Sequence, residues 1–128
     1  QTSKIDQANE AGEAFSKLYY ENFDKRRQVL GKMYMDTATM VWNGNGVTGT
    51  TDILKFIEDL PSSEHKVESL DCQPLGDHVT KGQTSIIVTT MGSVKYEGNT
   101  AKMFNQNFML TSQENVWKVV SDTFRTSE

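Results

Sequence analysis

The chain has 128 residues, a formal net charge of −4 and a single cysteine. A chain of this length can bury a hydrophobic core of its own, so we expect one domain over residues 1–128. The acidic balance argues against direct binding to nucleic acid, because contact with phosphates requires a basic surface. No apolar run approaches the ~20 residues of a membrane-spanning helix, and a lone cysteine excludes an intrachain disulfide.

The first half of the chain is predicted to be mainly helical. Apolar residues recur every three or four positions from about residue 4 to 23, and a second, short helix is predicted over 25–32. Residues 34–42 alternate between apolar and polar and predict a strand, which ends in a turn of Asn and Gly at 43–46. Thr50 or Thr51 can cap a third helix, which Pro61 stops.

The second half is predicted to consist of strands, at 67–75, 84–96, 102–112 and 116–124, with Gly92 marking a bulge or bend. Three helices, one strand between them and four long strands late in the chain form an α+β pattern. The helices are expected to pack on one face of a curved antiparallel sheet.

The predicted strand around residues 103–113 carries no charge on either face. Phe104, Gln106, Phe108 and Leu110 point to one side and form a core face that contains one amide. The other side is neither a core nor an ordinary wet surface, because it combines amides, a hydroxyl and methionines. Such a composition is typical of a surface covered by another protein. Its members are Met103, Asn105, Asn107, Met109 and Thr111.

Two charged residues lie on predicted strands. Asp71 shares a strand face with Val67, Ser69, Gln73 and Leu75, where a carboxylate is costly unless it is paired. Either it accepts hydrogen bonds from local backbone amides, or it forms an ion pair with a partner. By alternation, Arg125 shares a face with Trp117, Val119, Ser121 and Thr123. That is a common interface composition, but a solvated arginine near the chain end fits equally well.

The sequence shows no pattern typical of catalysis, so we expect neither an enzyme nor a cofactor. His65 and His78 lie in polar surroundings and are predicted to be surface residues, and Cys72 is predicted to be a packing residue on a strand. These three residues and Asp71 lack the spacing of a metal-ligand set, and no glycine-rich phosphate loop is present. The basic cluster at 25–27 is predicted to be a solvated helix end.

Several sequence blocks resemble the nuclear-transport-factor-2-related export proteins, and the resemblance spans nearly the whole chain. The most specific blocks in order and spacing are Trp-Asn-Gly-Asn at 42–45, Asp-Cys-Gln-Pro at 71–74 and Phe-Asn-Gln-Asn-Phe at 104–108. The remaining blocks are Tyr19-Tyr20 with Asp24-Lys-Arg-Arg27, Leu60-Pro-Ser-Ser-Glu64, Gly92-Ser-Val-Lys95, Val116-Trp-Lys118, Ser121-Asp122 and Phe124-Arg125.

The resemblance implies a cone-shaped fold with a strongly bent sheet, and the role of small subunit of an mRNA export receptor. It implies a heterodimer, sheet against sheet, with the like-folded domain of a Tap-type (NXF-type) large subunit. The heterodimer is expected to dock on Phe-Gly-repeat nucleoporins and to shuttle between nucleus and cytoplasm. It further implies that Asp71 and Arg125 pair with opposite charges on that subunit. The expected interface consists of Asp71, Arg125, Gln73, Asn105, Asn107 and Met109.

Two rival interpretations remain. The same cone fold hosts small isomerases and dehydratases, for which Asp36, Tyr34 or Asp122 would be the acid–base groups here. A deep polar pocket would favour that interpretation, and a cone filled with apolar side chains would oppose it. The other rival is a homodimeric carrier that uses the same sheet face. Binding of the small GTPase Ran is not implied.

Overall fold

The computed structural model describes residues 3–76, 84–113 and 116–127 of the chain. An α-helix and a 3₁₀ helix come first, two strands and a second α-helix follow, and the last four strands are long. The elements are α1 (Lys4–Lys25), the 3₁₀ helix (Arg27–Met33), β1 (Tyr34–Trp42), β2 (Asn45–Thr48), α2 (Thr50–Glu58), β3 (Ser63–Pro74), β4 (Ser85–Tyr96), β5 (Lys102–Gln113) and β6 (Val116–Thr126).

The strands form one sheet in the order β2-β1-β6-β5-β4-β3. Neighbouring strands are antiparallel except β1 and β6, which run parallel. The three helices pack on one side of this curled, open sheet, so the predicted α+β cone is confirmed. We call the side under the helices the concave face and the opposite side the outer face.

The core lies between the helices and the concave face, and it is rich in aromatic rings. Phe108 packs edge-on against Phe15 and Tyr19 of α1, with ring centroids 5.1 and 4.8 Å apart. The rings of Trp42 and Phe124 stack at 3.9 Å. The apolar stripe predicted for α1 is therefore confirmed from Ala8 onward, but Ile5 at its start is 61% exposed.

Two β-bulges change the side-chain directions that simple alternation predicts. In β6, Val119 pairs with Leu110 and Ser121 pairs with Met109, so Val120 is an extra residue. Val119 therefore points into the core, whereas the strand after the bulge turns Arg125 outward. The predicted common face of Arg125 with Trp117 and Val119 is wrong for this reason.

The second bulge lies in β3 at Glu68, opposite Gly92 of β4. A Cβ on Gly92 would lie 1.9 Å from the carbonyl oxygen of Lys66, so the close approach of the two strands requires glycine there. The sequence signal at Gly92 was correct in marking an irregularity, although the extra residue belongs to the neighbouring strand. Because of this bulge, Val67 does not share the face of Ser69, Asp71 and Gln73, contrary to the prediction from unbroken alternation.

Several boundaries differ from the prediction. A short strand, β2, follows the Asn-Gly turn and pairs with β1, and β3 begins four residues earlier than predicted. The second helix is a 3₁₀ helix that begins at Arg27. Neither Thr50 nor Thr51 caps α2: Gly49 precedes the helix, and the Thr50 hydroxyl instead donates to the carbonyl of Gly31.

His65 is not the surface residue that its polar sequence neighbours suggested. Its side chain is 1% exposed, and its Nδ1 lies 2.7 Å from Oδ1 of Asp24, whose Oδ2 accepts from the His65 backbone N–H. Burial alone would raise the pKa of Asp24, but these contacts with His65 hold it below its usual range. His78 lies outside the described residues.

The basic cluster at 25–27 is also only partly a solvated helix end. Arg27 is half-buried and donates to the carbonyls of Ile57, Leu60 and Pro61 and to the Ser63 hydroxyl. It thus ties the end of α2 to the beginning of β3. This role depends on the five N–H donors of a guanidinium. The sequence alone does not reveal that Arg27 plays it.

Candidate functional site: the outer face of the sheet

Cross-strand pairing places the outward side chains of the sheet in rows that run across the strands. Each row takes one residue from each of the four or five neighbouring strands that it crosses, and successive rows are two residues apart. The three central rows bring all six predicted interface residues onto one surface. These rows are Ser69–Met91–Asn105–Arg125, Asp71–Thr89–Asn107–Thr123–Val41 and Gln73–Ile87–Met109–Ser121–Thr39.

The charges in these three rows are confined to Asp71 and Arg125. They lie on opposite sides of the face, on β3 and β6, and the residues of β4 and β5 between them in these rows are uncharged. Three strand spacings separate them by roughly 14 Å across the sheet. Charged residues that share the outward direction further along the strands, such as Lys66 and Lys118, lie outside the central rows.

Asp71 and Arg125 are both exposed. Neither side chain makes a hydrogen bond or an ion pair with another residue in the described part of the chain. The interpretation of Asp71 as a carboxylate held by local backbone amides therefore has no support in the described ranges. Gln73, on the same strand as Asp71, is exposed as well.

The centre of the face is held in place by its own hydrogen bonding. The hydroxyl of Thr89 donates to Oδ1 of Asn107 at 2.8 Å across β4 and β5. Asn105 and Asn107 are exposed and Met109 is half-buried. Thr111 was expected to be outward and accessible, but it is 1% exposed and is bonded to the hydroxyl of Ser85.

Exposed apolar side chains also lie on the outer face. Met91 and Met103 are each 47% exposed and Val41 is 39% exposed. Sequence reasoning did not single out Met91, Thr89 and Thr123 as site residues. The signal available in the sequence for Thr89 and Met91 was the lack of charge in the run that contains them. In the structure this run belongs to β4, which pairs with β5.

The concave side holds a buried polar network centred on Asp122. Its Oδ2 accepts from the hydroxyls of Tyr34 at 2.6 Å and Tyr19 at 3.5 Å, and its Oδ1 accepts from Nε2 of Gln106 at 2.8 Å. Gln106 in turn accepts from the hydroxyl of Tyr20 at 2.6 Å. The amide predicted within the core face of β5 thus has a role, which is to connect α1 with the sheet.

Burial raises the pKa of Asp122 to about 6, and the hydrogen bonds to its oxygens oppose that rise. A raised carboxylate pKa is a feature of some active sites. Here, however, Asp122 is 1% exposed, both oxygens accept hydrogen bonds from side chains of the protein, and aromatic and aliphatic side chains fill the cone. Asp36, another candidate, is exposed on β1 and makes no bond to this network.

A groove of about 710 Å³ opens elsewhere, between α1 and the beginning of β6. Its walls are mainly apolar, and Glu10 and Lys32 are among the residues that line it. The three candidate acid–base residues do not line this groove. It therefore offers no arrangement for the chemistry that the isomerase interpretation requires.

Cys72 is half-buried and packs against the core, as predicted for a packing residue. Burial raises the pKa of its thiol. Across the described ranges, no three or more histidine, cysteine or acidic side chains cluster as metal ligands would. Nor does any helix in those ranges have the length and apolar character to span a membrane.

The fold and the blocks of sequence together define the class of protein. The profile of the nuclear transport factor 2 (NTF2) domain matches residues 11–126. NTF2-related export protein 2 of Bos taurus is 50% identical over 125 residues, which cover 94% of this chain and 88% of the relative. The chain belongs to the NTF2 domain family and, within it, to the NTF2-related export proteins.

Solved structures show the same fold at lower identity. Nuclear transport factor 2 of Cryptosporidium parvum superposes with a TM-score of 0.83 at 23% identity, covering 94% of this chain and 95% of that one. The complex of Mtr2 with the Mex67 M domain from C. albicans contains a chain that superposes with a TM-score of 0.73 at 11% identity, covering 90% of this chain and 93% of that one.

Proposed function

We propose that this protein is the non-catalytic small subunit of a heterodimeric mRNA export receptor. Its outer face would bind the like-folded domain of a Tap-type (NXF-type) large subunit, sheet against sheet. The observation that carries the proposal is the composition of the three central rows, where amides, hydroxyls and methionines surround two unpaired charges of opposite sign. Exposed strands that function in solvent usually carry many charges, whereas interface centres are depleted of them.

The names of the relatives support an export role. The similar mammalian proteins are called NTF2-related export proteins, and a structural neighbour of the same fold is Mtr2 in complex with the Mex67 M domain. We extend to this chain the idea of a paired, like-folded partner. In that arrangement Asp71 and Arg125 would meet opposite charges, and Gln73, Asn105, Asn107 and Met109 would form the contact between them.

The remaining parts of the proposal follow from that pairing. The heterodimer would dock on Phe-Gly-repeat nucleoporins and shuttle between nucleus and cytoplasm, and the large subunit would supply the binding of RNA. The small subunit would act by holding its partner's domain folded. The filled cone and the fully bonded Asp122 support a role without catalysis.

The test is a pull-down and titration of the large subunit's like-folded domain with Asp71→Arg. Loss of one member of a charge pair at an interface costs ~2–5 kcal/mol of binding, and reversal adds repulsion, so we expect severe loss of the complex. Because Asp71 is exposed and has no partner in the described ranges, the variant should unfold at the same temperature as the wild type. Glu13→Arg on the exposed side of α1 is the matched control. Undiminished binding of Asp71→Arg would refute this use of the face.

A further inference from the structure

Strand β2 forms one end of the sheet, and its outer edge has no neighbouring strand. Its residues, Asn45–Thr48, include no charge and no proline, and they pair with β1 without a bulge. Charges, prolines and bulges are features with which proteins discourage further pairing at the edge of a sheet. The edge of β2 has none of them and is therefore open to one more strand.

The backbone groups that face this edge belong to Gly46 and Thr48. In an antiparallel pair, residues that bond to the neighbouring strand alternate with residues that point away from it. The N–H of Gly49 donates to the carbonyl of Ala38 on β1, and this bond fixes the alternation along β2. The N–H and C=O groups of Gly46 and Thr48 thus point away from β1, in the plane of the sheet. Within the described ranges, no turn, loop or helix hydrogen-bonds to the backbone of these two residues.

The hairpin formed by β1 and β2 is anchored at both ends. At its turn, the N–H of Asn43 donates to the carbonyl of Phe124, and its Oδ1 accepts from the N–H of Thr126 at 2.8 Å. At the other end, the Thr50 hydroxyl donates to the carbonyl of Gly31. An edge that is already held in its bound geometry loses little conformational freedom when a partner binds.

The side chains around this edge indicate what an added strand would carry. Gly46 pairs with Val41, which is 39% exposed on the outer face. A Cβ on Gly46 would meet no atom within 4 Å, so the space beside Val41 is empty. An aromatic side chain opposite Gly46 can lean over the glycine and cover Val41, and aromatic residues are favoured in such cross-strand contacts.

We propose that an extended segment of a partner protein pairs with β2, antiparallel to it, as a further strand of the sheet, and places an aromatic residue opposite Gly46. Only an extended backbone can satisfy the outward groups of both Gly46 and Thr48 at once. This contact uses none of the six residues proposed to bind the large subunit, so the two partners do not compete for them. The small subunit thereby gains a second docking site, which is read through its backbone.

The test is an NMR titration of the isotope-labelled full chain with the blocked peptide acetyl-Lys-Thr-Val-Tyr-Val-Lys-amide. The peptide should slow the exchange of the Gly46 and Thr48 amide protons with solvent. The amides of Asn45 and Val47, which face β1, should change little. Unchanged Gly46 and Thr48 amides at saturating peptide would overturn the proposal.

Methylation of the peptide backbone separates strand pairing from binding through side chains alone. A methyl group on the tyrosine nitrogen removes the N–H that would donate to the Gly46 carbonyl, so binding should weaken at least roughly 10-fold. A methyl group on the nitrogen of the following valine removes an N–H that points away from β2, and the affinity should be nearly unaltered. Equal effects of the two methyl groups would show that no strand is added.

Thr48→Pro tests the same contact from the side of the protein. It removes an N–H that faces the edge and leaves the bonds to β1 in place, a position where an edge strand tolerates proline. This variant should bind the peptide roughly 10-fold more weakly than Thr48→Val, which keeps the N–H. Circular dichroism checks that both are folded, and equal binding by the two would contradict the proposal.

Two further samples separate this proposal from other uses of the sheet. Asp71→Arg should bind the peptide as the wild type does, so a failure of the proposed heterodimer and a failure of this site give different results. The second sample is concentrated wild-type protein without peptide. If the Gly46 and Thr48 amides are protected there, the edge pairs with a second copy of the chain, and its assignment to a partner protein is wrong.

Discussion

The hydroxyl of Tyr34 donates a 2.6 Å hydrogen bond to Oδ2 of Asp122, joining the first strand of the chain to the last within an otherwise mainly apolar core. Tyr34 and Asp122 are each 1% exposed. Burial raises the pKa of both groups, because each would have to be charged without water around it. The network is therefore most stable when Asp122 is protonated.

Asp122→Asn should remove a pH dependence from the free energy of unfolding. The carboxyl has a pKa of about 6 in the folded protein and ~3.9 in the unfolded chain. Its contribution is fully present below about pH 3.9 and is lost as pH rises through about 6, a change of roughly 3 kcal/mol. In urea titrations, the free energy of unfolding of the variant, relative to that of the wild type, should rise by about that much between pH 4 and pH 7.

Asp52→Asn, an exposed position on α2, is the control for that experiment and should show no such gain. If the difference in unfolding free energy between Asp122→Asn and the wild type is the same at both pH values, the carboxylate does not titrate as the structure indicates.

Arg27→Lys should destabilise the protein even though it conserves the charge. The guanidinium donates to three carbonyls around the end of α2 and to the Ser63 hydroxyl, and an ammonium cannot reach all of them. We expect a loss of about 2–4 kcal/mol in the free energy of unfolding, measured by urea titration. Arg26 forms an exposed pair with Glu21 and donates from Nε to Oδ1 of Asn22, so Arg26→Lys should cost less, about 1 kcal/mol. Equal effects of the two substitutions would contradict the role of Arg27.

Gly92→Ala should be among the more damaging single substitutions in the sheet. Its Cβ would meet backbone atoms of β3 at 1.9 to 3.0 Å, so the strand must move and the bulge at Glu68 must be rebuilt. We expect a loss of about 3 kcal/mol or more in thermal or urea unfolding. Gly46→Ala is the matched control, because its Cβ would meet no atom within 4 Å. A Gly92→Ala protein as stable as Gly46→Ala would show that β3 is not held so closely.

Asn107→Lys should weaken binding of the large subunit's domain far more than it lowers the unfolding temperature, because within the protein it removes the exposed bond from Thr89. Asn107 is exposed near the middle of the outer face, and a lysine there would have to be buried without a counter-ion. Titration calorimetry should show affinity lower by about 2–4 kcal/mol. The same change at Asn99, in the exposed turn after β4, should leave affinity unaltered. If Asn107→Lys binds as tightly as the wild type, the middle row is not part of the interface.

The core side of β5 could be predicted from the sequence because its period of two is unbroken. Phe104, Gln106, Phe108 and Leu110 are all buried, as alternation requires. The same reasoning failed in β6. The extra residue Val120 shifts the alternation, so side chains after it point to the opposite face from the one that an unbroken period of two predicts, and nothing in the local composition marks the bulge. A period-based argument cannot detect a bulge that contains no glycine.

Long-range pairing explains the other errors. His65 was expected in solvent, but its partner Asp24 lies 41 residues earlier in the chain, and the surroundings of both depend on how α1 meets β3. The outer face is a similar case. The composition of β5 indicated an interface on this face, but the width of the face follows from the pairing of β4 and β6 with β5, which the sequence does not show. Asp71 and Arg125 were selected by resemblance, because local sequence left both undecided.

The bulge at Glu68 has a consequence for how the protein avoids aggregation. β3 is the end strand of an open sheet, and a straight end strand offers its backbone groups to any extended chain nearby. In this strand the bulge interrupts the regular ladder, Pro74 has no N–H to donate, and Glu64, Lys66 and Glu68 are exposed along it. Strand addition at this edge is thus disfavoured, so the protein can expose a largely uncharged sheet face without also exposing, at β3, a regular strand edge that would template fibrils.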